Sequence, residues 1–327
     1  MLEVTSVPTA VDEGAATWRS KDLLDTDVLT PQEIALIMET AEAMAEIRNR
    51  PIGKVATLRG ATVITLFYEQ STRTRASFEV AAKALGADVV NLTASGSSVE
   101  KGESLIDTVR TLQAIGADVL VMRHSKSGAP YLAARHMRAS VINGGDGTHA
   151  HPTQALLDLF TMRRRLGSLE GRRVVIVGDV LHSRVARSNV WTLLAAGADV
   201  TLCGPATLLP RTLAGTGERG RVSVTTNFDE AIEGADVVMA LRIQKERQES
   251  GLIPSLREYI SGFQLNARRL AKAAPGALVM HPGPMNEGIE ISPEIAHGVA
   301  SVIEEQVANG VAVRMAVLYL LATARRA

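Results

Sequence analysis

At 327 residues and 46% hydrophobic content, the chain has room for two domains of roughly 150 residues, each with its own core. Lys+Arg and Asp+Glu number 35 each, for zero formal net charge, and aromatic residues are only 3%, so the basic excess and stacking platforms of a nucleic-acid binder are both missing. No apolar run approaches the roughly 18 residues of a membrane span, and a single cysteine, Cys203, excludes an internal disulfide and a cysteine-rich metal site.

The opening stretch "MLEVTSVPTAVDEGAATW" has neither the basic start nor the apolar core of a secretory signal. It reads as a frayed lead-in, and the cytoplasm is the expected compartment. Thr30, Pro31 and Glu33 form a T-P-x-E capping box with proline at the first helical position, which predicts a helix from residue 31. "ATVITLF" (61–67) predicts a buried strand that runs into "YEQSTRTRASFE" (68–79), where a strand should hand over to a helix. A helix start offers free backbone N–H groups and a partial positive charge. Ser71, Thr72 and Thr74 add hydroxyl donors, while Arg73 and Arg75 add forked guanidinium groups that grip phosphate. The plain alternative is a capped helix with solvated arginines. Placement at the C-terminal end of a predicted parallel strand, where α/β folds bind ligands, favours an anion site. The P-loop pattern G-x-x-x-x-G-K-[ST] occurs nowhere in the chain.

Four junctions repeat one theme: "ALGADVV" (84–90), "AIGADVL" (114–120), "AAGADVT" (195–201) and "IEGADVV" (232–238). Each closes a helix-like stretch on glycine and opens a valine-rich strand. Two fall in each half, which predicts two α/β domains of similar design, each a parallel sheet flanked by helices. Arg123 closes the apolar run "ADVLVMR" at another strand end. Gly145-x-Gly147-x-x-Ala150 matches the dinucleotide pattern G-x-G-x-x-A only loosely, with no acidic strand end following at the expected distance. "HAH" (149–151) beside Asp146 hints at a metal, although two histidines on an irregular loop are more often structural. A long helix is predicted from about Pro152, opened by His151 and Gln154 and bridging the two halves. "RRVVIVGD", "DVTLCG" with a buried Cys203 thiol, and "GALVMH" read as further strands; "GERGRVS" and "RIQKERQESGLIPS" read as polar surface loops, and the last stretch is helical in period.

"STRTRASFE" resembles the signature shared by aspartate and ornithine carbamoyltransferases. "EKGESLIDTVRTL", "VMRH", "NGGDGTHAHPTQALLDLF", "VVIVGDVLHSR", "LRIQKER" and "HPGPMNEG" follow in the family's order and span nearly the whole chain. The resemblance implies a carbamoyl-phosphate domain over residues 1–151, an aspartate domain over 152–302, bridging helices between them, and a helix over 303–327 that packs back onto the first. It implies that Ser71, Thr72, Arg73 and Thr74 bind the phosphate of carbamoyl phosphate, and that Thr74, Arg123 and His151 surround its carbonyl oxygen. Gln154 and the backbone carbonyls of Pro282 and Gly283 would hold its amide. Ser97 and Lys101, in a polar loop that composition alone would leave solvated, would enter the neighbouring subunit's site, which implies a homotrimer with shared sites. Arg184, Arg242 and Gln244, with Lys101, would hold L-aspartate.

The implied reaction moves the carbamoyl group to the aspartate α-amino group, giving N-carbamoyl-L-aspartate and phosphate, a step of de novo pyrimidine biosynthesis. Arg73, Thr74, Lys101, Arg123 and His151 would carry the chemistry, with no metal and no organic cofactor. The H-C-L-P and D-x-x-x-S-M segments of ornithine enzymes are absent, so aspartate is the expected acceptor. Another amine such as ornithine, or a non-catalytic scaffold subunit, is the alternative. Association with a regulatory chain or with dihydroorotase is left open. Two departures stand out: Gly283 where some relatives carry leucine, and the acidic Glu287.

Overall fold

The computed structural model describes residues 18–93, 102–217, 219–243, 252–253 and 255–324. Its first half runs α1 (Pro31–Arg48), β1 (Thr62–Phe67), α2 (Thr72–Ala84), β2 (Asp88–Thr93), α3 (Leu105–Ile115), β3 (Val119–His124), α4 (Ala129–His136), β4 (Ser140–Asp146) and α5 (Pro152–Leu166). The second half runs β5 (Arg173–Val177), α6 (Arg184–Ala195), β6 (Asp199–Cys203), β7 (Gly215–Thr216), β8 (Arg221–Thr225), α7 (Phe228–Ala231), β9 (Val237–Ala240), α8 (Leu256–Phe263), α9 (Ala267–Leu270), β10 (Leu278–Met280), α10 (Pro293–Ala296) and α11 (Ile303–Ala324).

The local signals act as their chemistry requires. Thr30 Oγ1 accepts the Glu33 N–H at 3.2 Å and Glu33 Oε2 accepts the Thr30 N–H at 3.0 Å, so α1 starts on a complete capping box. The glycines of all four junctions, Gly86, Gly116, Gly197 and Gly234, have φ between 61° and 105°. Each ends its helix or helical turn in the left-handed region, where a side chain would strain the backbone.

Strand order is β2-β1-β3-β4 in the first sheet and β10-β9-β5-β6-β8-β7 in the second. Every pairing is parallel except β7 with β8. That antiparallel edge corrects the reading of "GERGRVS" as loop: Arg221 to Ser223 belong to β8, reached by a tight turn in which the Gly217 N–H donates to the Gly220 carbonyl at 2.8 Å. Val222 and Val224 alternate with polar residues, a period-2 signal over too short a run to outweigh the neighbouring glycines.

The pleat divides the cores. On β1, Val63 and Phe67 join a cluster that continues through α5 and α11 to one face of the second sheet, while Ile64 and Leu66 join a separate cluster under α3 and α4. The outer face of the second sheet has its own cluster around Val175, Val238 and Phe228. Cys203 belongs to it, fully buried, and burial pushes its thiol up to about 12. Helix α11 packs on α1, α2 and α5. By length and composition alone this helix could cross a bilayer, although Glu304, Glu305, Gln306, Asn309 and Arg314 break its apolar run. Yet 67% of its most apolar window is buried inside the protein, the pattern of a core helix.

Candidate active site

In an open α/β sheet, ligands bind beyond the strand C-termini where the strand order reverses. The first sheet reverses between β1 and β3, and the second between β5 and β9. The loops after these four strands carry most of the residues singled out in the sequence. They line a cleft of about 1090 Å³ between the two sheets. Ser71, Thr72, Arg73 and Thr74 enter it from the start of α2, Arg123 from the end of β3, and His151 and Gln154 from the start of α5. Arg184 enters from the start of α6, Arg242 after β9, and Pro282 and Gly283 after β10. Ser97, Lys101 and Gln244 lie outside the described residues.

The start of α2 is not the self-capped helix that the sequence left open. Ser71 is the N-cap residue, but its side chain makes no capping hydrogen bond, so its hydroxyl and the first-turn N–H groups remain for a ligand. Burial pulls the Arg73 guanidinium below its ordinary range, and the Arg242 charge adds to this. Arg73 lies directly against Gly283, where φ is +64° and an added Cβ would come 2.8 Å from the Arg73 Cζ. Glycine at 283, the departure from the leucine version, thus leaves room for the Arg73 guanidinium. The turn around it is fixed from behind. The Gly283 N–H donates to His281 Nδ1 at 2.8 Å, so Nε2 carries the proton and faces Glu290 Oε1 at 3.2 Å.

One carboxylate joins an arginine from each half. Glu69 Oε2 sits 2.7 Å from Arg184 Nη2 and 3.3 Å from Arg123 Nε. Arg184 also donates to the Gly147 carbonyl at 3.1 Å, and Arg123 Nη1 to the Gly144 carbonyl at 3.2 Å. Gly145 has φ +116°, and an added Cβ would stand 3.0 Å from Arg184 Nε and 3.2 Å from Arg123 Nη1. The loose G-x-G-x-x-A match therefore has a local cause: the glycine lets two guanidinium groups pass the backbone. Glu69 thus reaches across the cleft from the loop after β1 to the start of α6. His149 bridges Asp25 and Asp146, at 3.2 Å from each. Among the described residues no cluster of three or more His, Cys, Asp or Glu side chains is disposed to hold a metal. Glu287 lies outside the cleft lining and faces His297 at 3.3 Å on an exposed surface.

Behind the cleft sits a polar knot that the sequence did not reveal. Asp158 is fully buried. Its Oδ1 accepts from Gln154 Nε2 at 2.9 Å and Gln306 Nε2 at 2.8 Å, and its Oδ2 accepts from Asn189 Nδ2 at 2.9 Å. Gln306 Oε1 in turn accepts the His281 N–H at 3.0 Å. Burial pushes the Asp158 carboxyl up to about 6, against the pull of its three donors and of Arg314. Burial likewise brings Arg314 down to about 10, and its guanidinium lies 5.1 Å from the Phe78 ring centre. The Gln154–Asp158 pair was legible as an i, i+4 spacing; Gln306 and Arg314 come from a distant helix and gave no local signal.

Residues 21–164 match the family described as Aspartate/ornithine carbamoyltransferase, carbamoyl-P binding domain. Residues 170–321 match the one described as Aspartate/ornithine carbamoyltransferase, Asp/Orn binding domain. The chain belongs to the aspartate/ornithine carbamoyltransferase family. Among its relatives, the aspartate carbamoyltransferase catalytic subunit of Roseiflexus castenholzii is 63% identical over 316 residues, covering 97% of this chain and 99% of the relative. The carbamoyltransferase fold also superposes on the aspartate transcarbamoylase of Trypanosoma cruzi solved with carbamoyl phosphate and aspartate, with a TM-score of 0.84, 30% identity and coverage of 93% of this chain and 98% of that one. An ornithine carbamoyltransferase from Pyrococcus furiosus matches with a TM-score of 0.83, 29% identity and the same coverage. The backbone of this carbamoyltransferase therefore does not separate the two acceptors; side chains must.

The knot makes a pH prediction. Asp158 titrates at about 6 in the fold, above the ordinary 3.8. The folded protein holds a proton that the unfolded chain releases between those values, so Asp158 subtracts from stability as pH rises from about 4 to about 6 and no further above. The melting temperature of the wild type relative to Asp158→Asn is expected to fall across that window. A constant difference would contradict the assignment.

Proposed function

We propose that this chain transfers the carbamoyl group of carbamoyl phosphate to the α-amino group of L-aspartate, giving N-carbamoyl-L-aspartate and phosphate for pyrimidine biosynthesis. The observation that carries the reading is the convergence of Arg73 and Arg123 from one sheet with Arg184 and Arg242 from the other in a single cleft. Two polyanionic substrates meeting there fit this charge; a cationic ornithine side chain does not. Membership of the family and 63% identity to a catalytic subunit of that activity support the same acceptor.

The roles follow from position. The open N-terminus of α2, with Ser71, Thr72, Arg73 and Thr74, takes the phosphate. Thr74, Arg123 and His151 surround the carbonyl oxygen. Gln154 and the Pro282 and Gly283 carbonyls hold the amide. Arg184 and Arg242, with Gln244, take the aspartate carboxylates. The amine lone pair attacks the carbonyl carbon, negative charge collects on the oxygen beside the three donors, and the bond from that carbon to the bridging oxygen breaks as phosphate leaves with the electron pair. The departing phosphate accepts the proton lost by the amine. Holding both reactants in line is worth roughly 7–11 kcal/mol, and each oxyanion donor roughly 2.7–4 kcal/mol.

Residues 1–151 are assigned to carbamoyl phosphate and 152–302 to aspartate, with α11 returning to the first domain. The working unit is a cytoplasmic homotrimer in which Ser97 and Lys101 complete a neighbour's site. Purified protein given carbamoyl phosphate should consume it with aspartate and not with ornithine, and Arg73→Ala should lower kcat by about 10²–10³-fold. Turnover with ornithine alone, or full activity in Arg73→Ala, would overturn the reading. Mixing Arg73→Ala with Lys101→Ala chains should restore part of the activity, because some sites then draw an intact set from two subunits; no recovery would count against sharing.

A further inference from the structure

The groups proposed to hold the carbamoyl NH2 come from two places, α5 and the turn after β10. Both are tied to one carboxylate that lies outside the cleft. An ionised carboxylate only accepts hydrogen bonds. Gln154 must therefore turn its NH2 toward Asp158, 2.9 Å away, which leaves its carbonyl oxygen for the cleft. Gln306 is oriented in the same way: its NH2 faces Asp158 at 2.8 Å, so its oxygen receives the His281 N–H. That N–H opens the His281-Pro282-Gly283-Pro284 turn. Pro282 and Pro284 have no N–H, and the Gly283 N–H is held by His281 Nδ1. Every N–H of the turn is thus absent or occupied, and only carbonyls are left to face a ligand.

We propose that Asp158 is a positioning residue that fixes the polarity of Gln154 and of the 281–284 turn, so that these two groups present acceptors and select an NH2 group on the bound acyl phosphate. The proposal rests on the reading of the cleft as a carbamoyl phosphate site and adds what enforces its choice of acyl group. Acetyl phosphate, which carries a methyl in place of the NH2, leaves the same acceptors without a donor, a mismatch that polar sites reject strongly.

Asp158→Asn keeps the shape and reverses part of the polarity. Its new NH2 must face a neighbour that already presents NH2. Asn189 is held by a second bond to the Val185 carbonyl at 3.1 Å, and Gln306 by the His281 N–H. Gln154 is the partner left to rotate, and it then shows NH2 to the cleft.

The test is the dissociation constants of carbamoyl phosphate and acetyl phosphate, measured by calorimetry on the intact protein. The wild type should prefer carbamoyl phosphate. Asp158→Asn should weaken it by about 10–100-fold while acetyl phosphate changes by no more than about threefold. Gln306→Met, which cuts only the branch to the turn, should shift the same preference in the same direction and decides the matter if Asp158→Asn fails to fold. Loss of both ligands in proportion, or an unchanged preference, overturns the positioning role and leaves the activity standing. A wild type that binds neither ligand overturns the functional reading beneath it.

Discussion

The guanidinium groups of Arg73, Arg123, Arg184 and Arg242 share one partly buried cleft with that of Arg314, and keeping them there is the constraint on which the rest of the site depends. Like charges at short range in a medium less polar than water repel, and burial adds its own cost. The depression of Arg73 by burial and by Arg242 records this directly. Among the described lining residues Glu69 is the one acid, and it lies between Arg123 and Arg184. Backbone clearance does the rest: Gly145 gives way to Arg184 and Arg123, and Gly283 gives way to Arg73. The arrangement is balanced best when anions arrive, which is what a phosphate and two carboxylates provide.

The fold supplies the two directions of approach. Each sheet reverses strand order once at the cleft, and the paired reversals place one set of arginines on each side. Glu69 is one of the contacts that span them, beside the Asn189–Asp158 and Arg184–Gly147 hydrogen bonds. Its carboxylate already holds Arg184 at 2.7 Å, so an anionic ligand drawn to that guanidinium would compete with the Glu69 bridge. Behind the cleft, α5, α6 and α11 meet at Asp158, whose amide partners fix the Gln154 side chain and, through Gln306, the 281–284 turn.

Much of this was readable beforehand because it is local. The Thr30 capping box, the four glycine junctions and the start of α5 at Pro152 depend on residues a few positions apart, and they form as those residues dictate. The polar cluster at Ser71–Thr74 declared itself by sitting at a strand end. What escaped was long-range. Nothing near Glu69 says that it crosses to a helix 115 residues away, and nothing near Asp158 points to Gln306, 148 residues on. Arg314, in an otherwise apolar stretch, is a buried counter-charge to Asp158. Val222 and Val224 carried strand periodicity too briefly to be heard between glycines.

The central claim is a division of labour, with carbamoyl phosphate held by the first sheet's arginines and aspartate by the second's. Steady-state kinetics of Arg184→Gln test it most directly, since Arg184 enters from the second half. The account predicts that KM for aspartate rises about 10–100-fold while KM for carbamoyl phosphate stays within about twofold. A rise in the carbamoyl phosphate KM with the aspartate KM unchanged would contradict it.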